Sequence, residues 1–347
     1  MAVVLLLLGP GSVSAQERSR PGAGSVLDLA VPERAAAARI RAEARARLVD
    51  AMTNDTTAES PPDVLREQAS ARYDAILQVF PNDVDALIER GLALAQFERV
   101  MADGHQERRI DEAIASLERA REVDPTRDAA TIASELAVLR TRRQEHALAA
   151  GEYERALAAL EDLPLLSPME YLPYSRRERG WALLFLPPSE QTLVGNWAEV
   201  TMLAGDPTSA IDRYRRAFAL AETSSITAAL ALWGLALAQE RSGSHADAIE
   251  TVLRAIDVDE TRGDRSGTFA MLHQEGVFFE PACEIHAYES LGHEALARRA
   301  STAEGRAREW TAARLSARFF LAEGGAQSIY RDVAVAAEAR LTALLAH

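Results

Sequence analysis

The sequence predicts an all-α fold, an α-α superhelix or solenoid of helical hairpins closed by a C-terminal capping helix. Two stretches of the chain rhyme: Leu203-Ala204-Gly205-Asp206 is followed by Ala210, Tyr214 and Ala217, and Arg241-Ser242-Gly243-Ser244 by Ala248, Val252 and Ala255. Each has a Gly, an Ala five residues on, a bulky apolar residue four further and an Ala three after that, and the two glycines lie 38 residues apart. A pattern repeated at that period is the signature of stacked hairpins. Composition agrees, since Ala is abundant while Gly and Pro are confined to a few places, which favours helix almost everywhere. A hydrophobic content of 48% supplies a core although aromatics make up 6%.

The chain begins with an apolar run, Ala2 to Leu8, broken by Gly9-Pro10-Gly11 and followed by the small residues Val13-Ser14-Ala15. This reads as a signal peptide over 1–15, cleaved between Ala15 and Gln16, and as export to a periplasm or the exterior. The run is too short to span a bilayer, so no membrane span is expected in the mature chain. A basic segment before it is missing: either the start lies upstream of Met1 or the signal is atypical. Residues 16–32, with Ser19, Pro21, Gly22 and Gly24, read as a flexible tether. A single solenoid is expected over 33–347.

Within it, Glu33 to Met52 is an Ala/Arg/Glu helix with a thin apolar stripe at Ile40, Leu48 and Val49. Thr53 to Pro62 is a polar break, and the next helix begins near Asp63. Ala69, Tyr73 and Ile76, stopped by Pro81, repeat the Ala–bulky–Ala spacing, as do Ala113, Leu117 and Ala120, stopped by Asp124-Pro125. Leu87, Gly91 and Leu94 lie on the helix between them, and Arg99 to Arg109 is an insertion. Gly151 to Ala156, with Leu160 and Leu163, reads as a third helix of this kind after a turn at Gly151. An extra helix is expected near Tyr174–Phe185, flanked by Pro164, Pro168, Pro187 and Pro188. Gly292, with Tyr288 before it and Ala297 after it, reads as the turn of a last copy, and Ala326 to Ala346 as the capping helix.

On these residues the chain resembles the tetratricopeptide repeat family over roughly 63–300. In that family helix A carries a large residue, Leu-Gly and Tyr, and helix B carries Ala, a bulky residue, Ala and a closing Pro. Glycine turn spacings of 54, 38 and 49 from Gly151 to Gly292 depart from the family's usual 34. The resemblance implies a non-catalytic scaffold that offers the inner faces of its A helices to a protein or peptide partner. Counted from the turns, those faces would be Glu199, Met202 and Leu203, then Trp233, Leu237, Glu240 and Arg241. Trp233 with Glu240 and Arg241 reads as an aromatic anchor with a polar rim, or else Trp233 fills the core. Phe278 and Phe279, before Pro281, are a hydrophobic anchor for a partner or are packed under their loop.

The net charge of −14 argues against nucleic acid as a partner, which needs a basic footprint, and disfavours anionic lipid. All 38 basic residues are Arg, which codon bias in a GC-rich genome explains along with the Ala. Cys283, His286 and His293 lie close in sequence, but no four-ligand zinc spacing exists, and no metal or other cofactor is expected. Asp257 to Gly263 resembles a calcium loop weakly, with the glycine one place late and Thr268 where a bidentate Glu belongs. No nucleophile elbow or phosphate-binding glycine loop is present, so no enzyme is expected. The function expected is an interaction scaffold in the bacterial cell envelope. The rival reading is a periplasmic accessory subunit that binds a small ligand for a transporter.

Overall fold

The computed structural model describes residues 32–52, 61–97, 106–161, 189–221, 226–261, 269, 271–273, 282–325 and 328–346. Among these, thirteen α-helices occur and no strand: α1 (Pro32–Met52), α2 (Pro62–Val79), α3 (Val84–Phe97), α4 (Gln106–Val123), α5 (Ala129–Arg142), α6 (His146–Glu161), α7 (Glu190–Leu203), α8 (Pro207–Leu220), α9 (Ile226–Arg241), α10 (His245–Thr261), α11 (Ile285–Arg299), α12 (Ala303–Ala322) and α13 (Arg331–Leu345). The all-α fold of helical hairpins is therefore as the sequence predicts. The chain divides into two compact units. Among described residues one holds 32–139 and 154–161, the other 140–153 and 189–346. The cleavage site at Ala15 and Gln16, the tether, the helix expected near Tyr174–Phe185, and Phe278 and Phe279 lie outside the described residues.

In the first unit the small-and-bulky spacing becomes packing. Ala69, Tyr73 and Ile76 of α2 meet Ala44, Leu48 and Val49 of α1 and Ala86 and Ala93 of α3. Ala113, Leu117 and Ala120 of α4 meet Ile88, Leu92 and Leu94 of α3 with Ile132, Leu136 and Leu139 of α5. Small residues let the axes approach, and the large one fills the groove between ridges. Gly91 shows how close: a methyl group there would lie 2.6 Å from Leu117 Cγ. Glu89 is buried in this unit, and Arg45 pairs with it. Burial pushes the Glu89 carboxyl up to about 7 against the opposing pull of Arg45.

In the second unit α7/α8, α9/α10 and α11/α12 are hairpins, and α13 packs on α12. The turn glycines behave as the sequence requires: Gly205 has φ +97° and Gly243 φ +86°. Gly205 N–H donates to Met202 O (3.1 Å) and Asp206 N–H to Thr201 O (3.1 Å). Ser244 N–H donates to Gln239 O (2.9 Å) in the same way. This pair of bonds satisfies the last carbonyls of an ending helix. Asp206 then caps α8, its Oδ1 accepting from Ser209 N–H (3.0 Å), with Pro207 in the first turn.

Two other turn assignments are corrected. Gly151 lies inside α6, and the turn comes earlier, where Gln144 takes φ +60° and Glu145 N–H donates to Arg140 O (2.9 Å). Gln144, Ala149, Tyr153 and Ala156 reproduce the spacing of Gly205, Ala210, Tyr214 and Ala217, with Gln where Gly is expected. Gly292 does not end a helix either, since α11 runs through it. Its missing side chain makes room for Phe269 Cε1, which a methyl group would meet at 2.5 Å, as Gly234 makes room for Tyr214. The capping helix is shorter than expected, and α12 precedes it.

Candidate functional site

Helices α7, α9 and α11 are the first helices of the three hairpins in the second unit. Helix α9 has no open face, for every residue from Ala228 to Gln239 is buried. A helix apolar all round is a core helix. Trp233 is 2% exposed and stands edge-on to Phe269 (5.9 Å) and Tyr288 (6.4 Å). Met202 and Leu237 are 0% exposed in the same cluster, and Leu203 is also buried. Trp233, Met202 and Leu237 are therefore core side chains rather than an accessible groove, packed among α7, α8, α10 and Phe269.

The polar residues of the expected face do converge, on partners the sequence reading did not name. Glu199 is buried on α7 and its Oε2 accepts the Tyr214 hydroxyl. Burial, with Glu199 next, holds the phenols of Tyr214, Tyr288 and Tyr330 well above their ordinary pKa, so they remain proton donors. Arg241 donates from Nη1 to Met202 O (2.6 Å), tying α9 to α7, and its guanidinium lies 5.7 Å from the Tyr330 ring centre. Tyr330 in turn lies 6.4 Å from Tyr288, at 72°.

Beside this aromatic cluster is a charged one. Glu240 of α9 and Glu294 of α11 each have side chains only 5% exposed. Arg340 of α13 reaches both: Nε and Nη2 donate to the two Glu294 oxygens at 3.0 and 2.7 Å, and Nη2 to Glu240 Oε1 at 3.3 Å. His245 of α10 joins it, with Nδ1 2.6 Å from Glu240 Oε2 and Nε2 3.6 Å from Glu294 Oε2. Ser328 Oγ donates to Glu284 Oε1 (3.0 Å), and burial pushes that carboxyl up to about 7. The sequence held one sign of this arrangement. Arg340 falls between Ala337 and Leu341, on the buried stripe of α13, where an arginine needs a buried acceptor.

The residues weighed for chemistry are otherwise engaged. Cys283 is buried, and burial pushes its thiol up. His286 pairs with Glu289 (2.8 Å) and His293 with Glu309 (2.9 Å). Asp257 pairs with Arg299, and Asp259 Oδ2 accepts from Met271 N–H (3.1 Å). Among the described residues no three His, Cys, Asp or Glu side chains are placed to hold a metal ion. No helix among them is long and apolar enough to cross a membrane.

Fold and site together define a protein built of repeated α-hairpins. The tetratricopeptide-repeat family model matches residues 106–164 and 201–264, and over both stretches the chain is similar to that repeat. They contain the Gln144, Gly205 and Gly243 turns. Among solved structures, that of MamA is 18% identical, over 58% of this chain and 93% of that one, with a TM-score of 0.42. That of YrrB, titled a TPR protein with an unusual peptide-binding site, is 13% identical over 77% and 97%, with a TM-score of 0.40. No curated protein matches the chain in sequence.

Proposed function

We propose that this chain is an exported, non-catalytic scaffold of the bacterial cell envelope, and that the second unit binds a protein or peptide partner. The observation that carries the reading is the meeting of Glu240 and Glu294, from two successive hairpins, on Arg340 and His245, with Glu199 of the hairpin before them buried against Tyr214, in a unit whose 201–264 stretch is similar to the tetratricopeptide repeat. Three carboxylates and three tyrosines give directional acceptors and donors in a setting shielded from water, where charge-assisted hydrogen bonds discriminate between partners. Export rests on the apolar run and small residues ending at Ala15.

Affinity capture from a native envelope extract tests this, using the chain from Gln16 onward beside a Glu240→Gln/Glu294→Gln variant of unchanged circular dichroism. One protein recovered near stoichiometrically with the parent and lost with the variant is the expected result. Equal recovery by both, or none by the folded parent, overturns it. Fractionation of cells making the full chain tests the location separately: a mature chain starting at Gln16 outside the cytoplasm is expected, and an uncleaved cytoplasmic chain refutes export.

A further inference from the structure

The face that carries these carboxylates is already covered, by the last segment of the chain itself. A helix that merely closes a solenoid meets the final hairpin, as α13 does through Ala337 and Leu341 against Ala313 and Ala317 of α12. The segment from Ser328 to Leu345 goes further. Arg340 bridges Glu294 on the last hairpin and Glu240 on the one before it, 100 residues back in the chain. Tyr330, 0% exposed, lies beneath Arg241 of α9 and beside Tyr288 of α11. Ser328 secures the turn on Glu284.

The contact joins apolar packing to a polar element that a plain cap does not need. Of the side chains α13 contributes, Leu341 is the one large aliphatic group fully buried, the others being Ala334 and Ala337. Val335 and Leu344 are exposed. Tyr330 and Ala334 enter the main apolar core, with Ile329 and Val333 partly buried against it, and the Arg340 guanidinium adds a polar hold on two carboxylates. The polar part of the contact is selective for an arginine fork between two carboxylates.

We infer that residues 328–345 are a resident occupant of the partner site, and that the partner is a helical segment carrying a tyrosine ten residues before an arginine, which displaces them. The inference rests on the scaffold reading and names its ligand class. Two acidic side chains facing a single arginine set the charge of the newcomer, and Tyr288, Arg241 and Tyr214 set its aromatic end.

The test uses a fluorescein-labelled peptide of residues 326–347 as the stand-in partner, titrated by anisotropy into the intact chain and into full-length Arg340→Glu and Tyr330→Ala variants. Circular dichroism confirms that each variant folds, and hydrogen exchange reports on α13. Both variants are expected to exchange the α13 amides at least tenfold faster and to bind the peptide at least tenfold tighter than the parent. A peptide carrying both substitutions is expected not to bind. No binding by either folded variant, or equal binding by the parent, overturns the inference. So does conversion of a variant to a dimer on light scattering, which makes the face an interface between copies. Peptide binding without any captured envelope protein leaves this face intact and removes the scaffold reading; a captured protein that ignores Arg340→Glu does the reverse.

Discussion

Gly234→Ala tests the packing of the second unit where it is tightest. A Cβ at position 234 would lie 2.3 and 2.4 Å from Tyr214 Cε1 and Cζ, against the 3.4–4 Å of ordinary contact. The ring must retreat by about 1 Å, and overfilling a packed core in this way costs about 1–3 kcal/mol. Retreat is hard, because the hydroxyl is held by Glu199 and the ring is buried in the main core cluster. Against that cost, Ala in a helix interior is favoured over Gly by about 1 kcal/mol. The net expectation is a loss of about 0–2 kcal/mol. In a Tyr214→Ala background, itself costing about 3–5 kcal/mol as a large aromatic truncation, the clash is gone and the helix preference remains. Gly234→Ala is then expected to stabilise by about 1 kcal/mol, a coupling of about 1–3 kcal/mol between the sites. Urea unfolding followed by circular dichroism at 222 nm measures all four corners of the cycle. Additive effects, with Gly234→Ala equally harmful in both backgrounds, would refute the close approach of α8 and α9.

The turn chemistry gives an opposed pair: Gln144→Gly relieves a left-handed φ of +60° and is expected to stabilise by about 0.5–1 kcal/mol. Gly205→Ala has open space around its Cβ, yet is expected to destabilise by about 1 kcal/mol through φ alone, and the sign difference is read in thermal melts. Glu89 supplies the pH dependence. Its carboxyl rises from the ordinary 4.5 to about 7 on folding, so its contribution is fully present below pH 4.5 and lost as pH rises through 7. At 1.36 kcal/mol per pH unit the full loss is about 3 kcal/mol. Glu89→Gln is expected to flatten that part of the stability profile between pH 5 and 8, and a difference from the parent that does not vary with pH refutes the assignment.

The hairpins were legible because their grammar is local. A Gly that must take positive φ, an Ala where two axes approach and a bulky residue between them are each dictated within one turn or one helix pair. That is why Gly205, Tyr214, Gly243 and Val252 stand where the spacing puts them. The same grammar misled where one residue type serves two purposes. Glycine ends a helix at 205 but clears space for an aromatic ring at 234 and 292, and glycine content alone does not separate the two. At position 144 the chain keeps the spacing and drops the glycine, which hides the turn from any search for Gly.

The site was half legible for a different reason. Glu199, Glu240 and Arg241 are the polar residues of the expected face, and the structure does bring polar partners to each. Their burial depends on what lies across them, and Tyr330 and Arg340 come from a segment about 90–140 residues away, a distance over which helical periodicity carries no information. Trp233 shows the limit most sharply. From Ala228 to Gln239 the run has only Gln239 as a polar side chain, and no helix with that composition can keep one face in water. An anchor for a partner must therefore be sought at the ends of α9, where Glu240 and Arg241 begin, and not along its length.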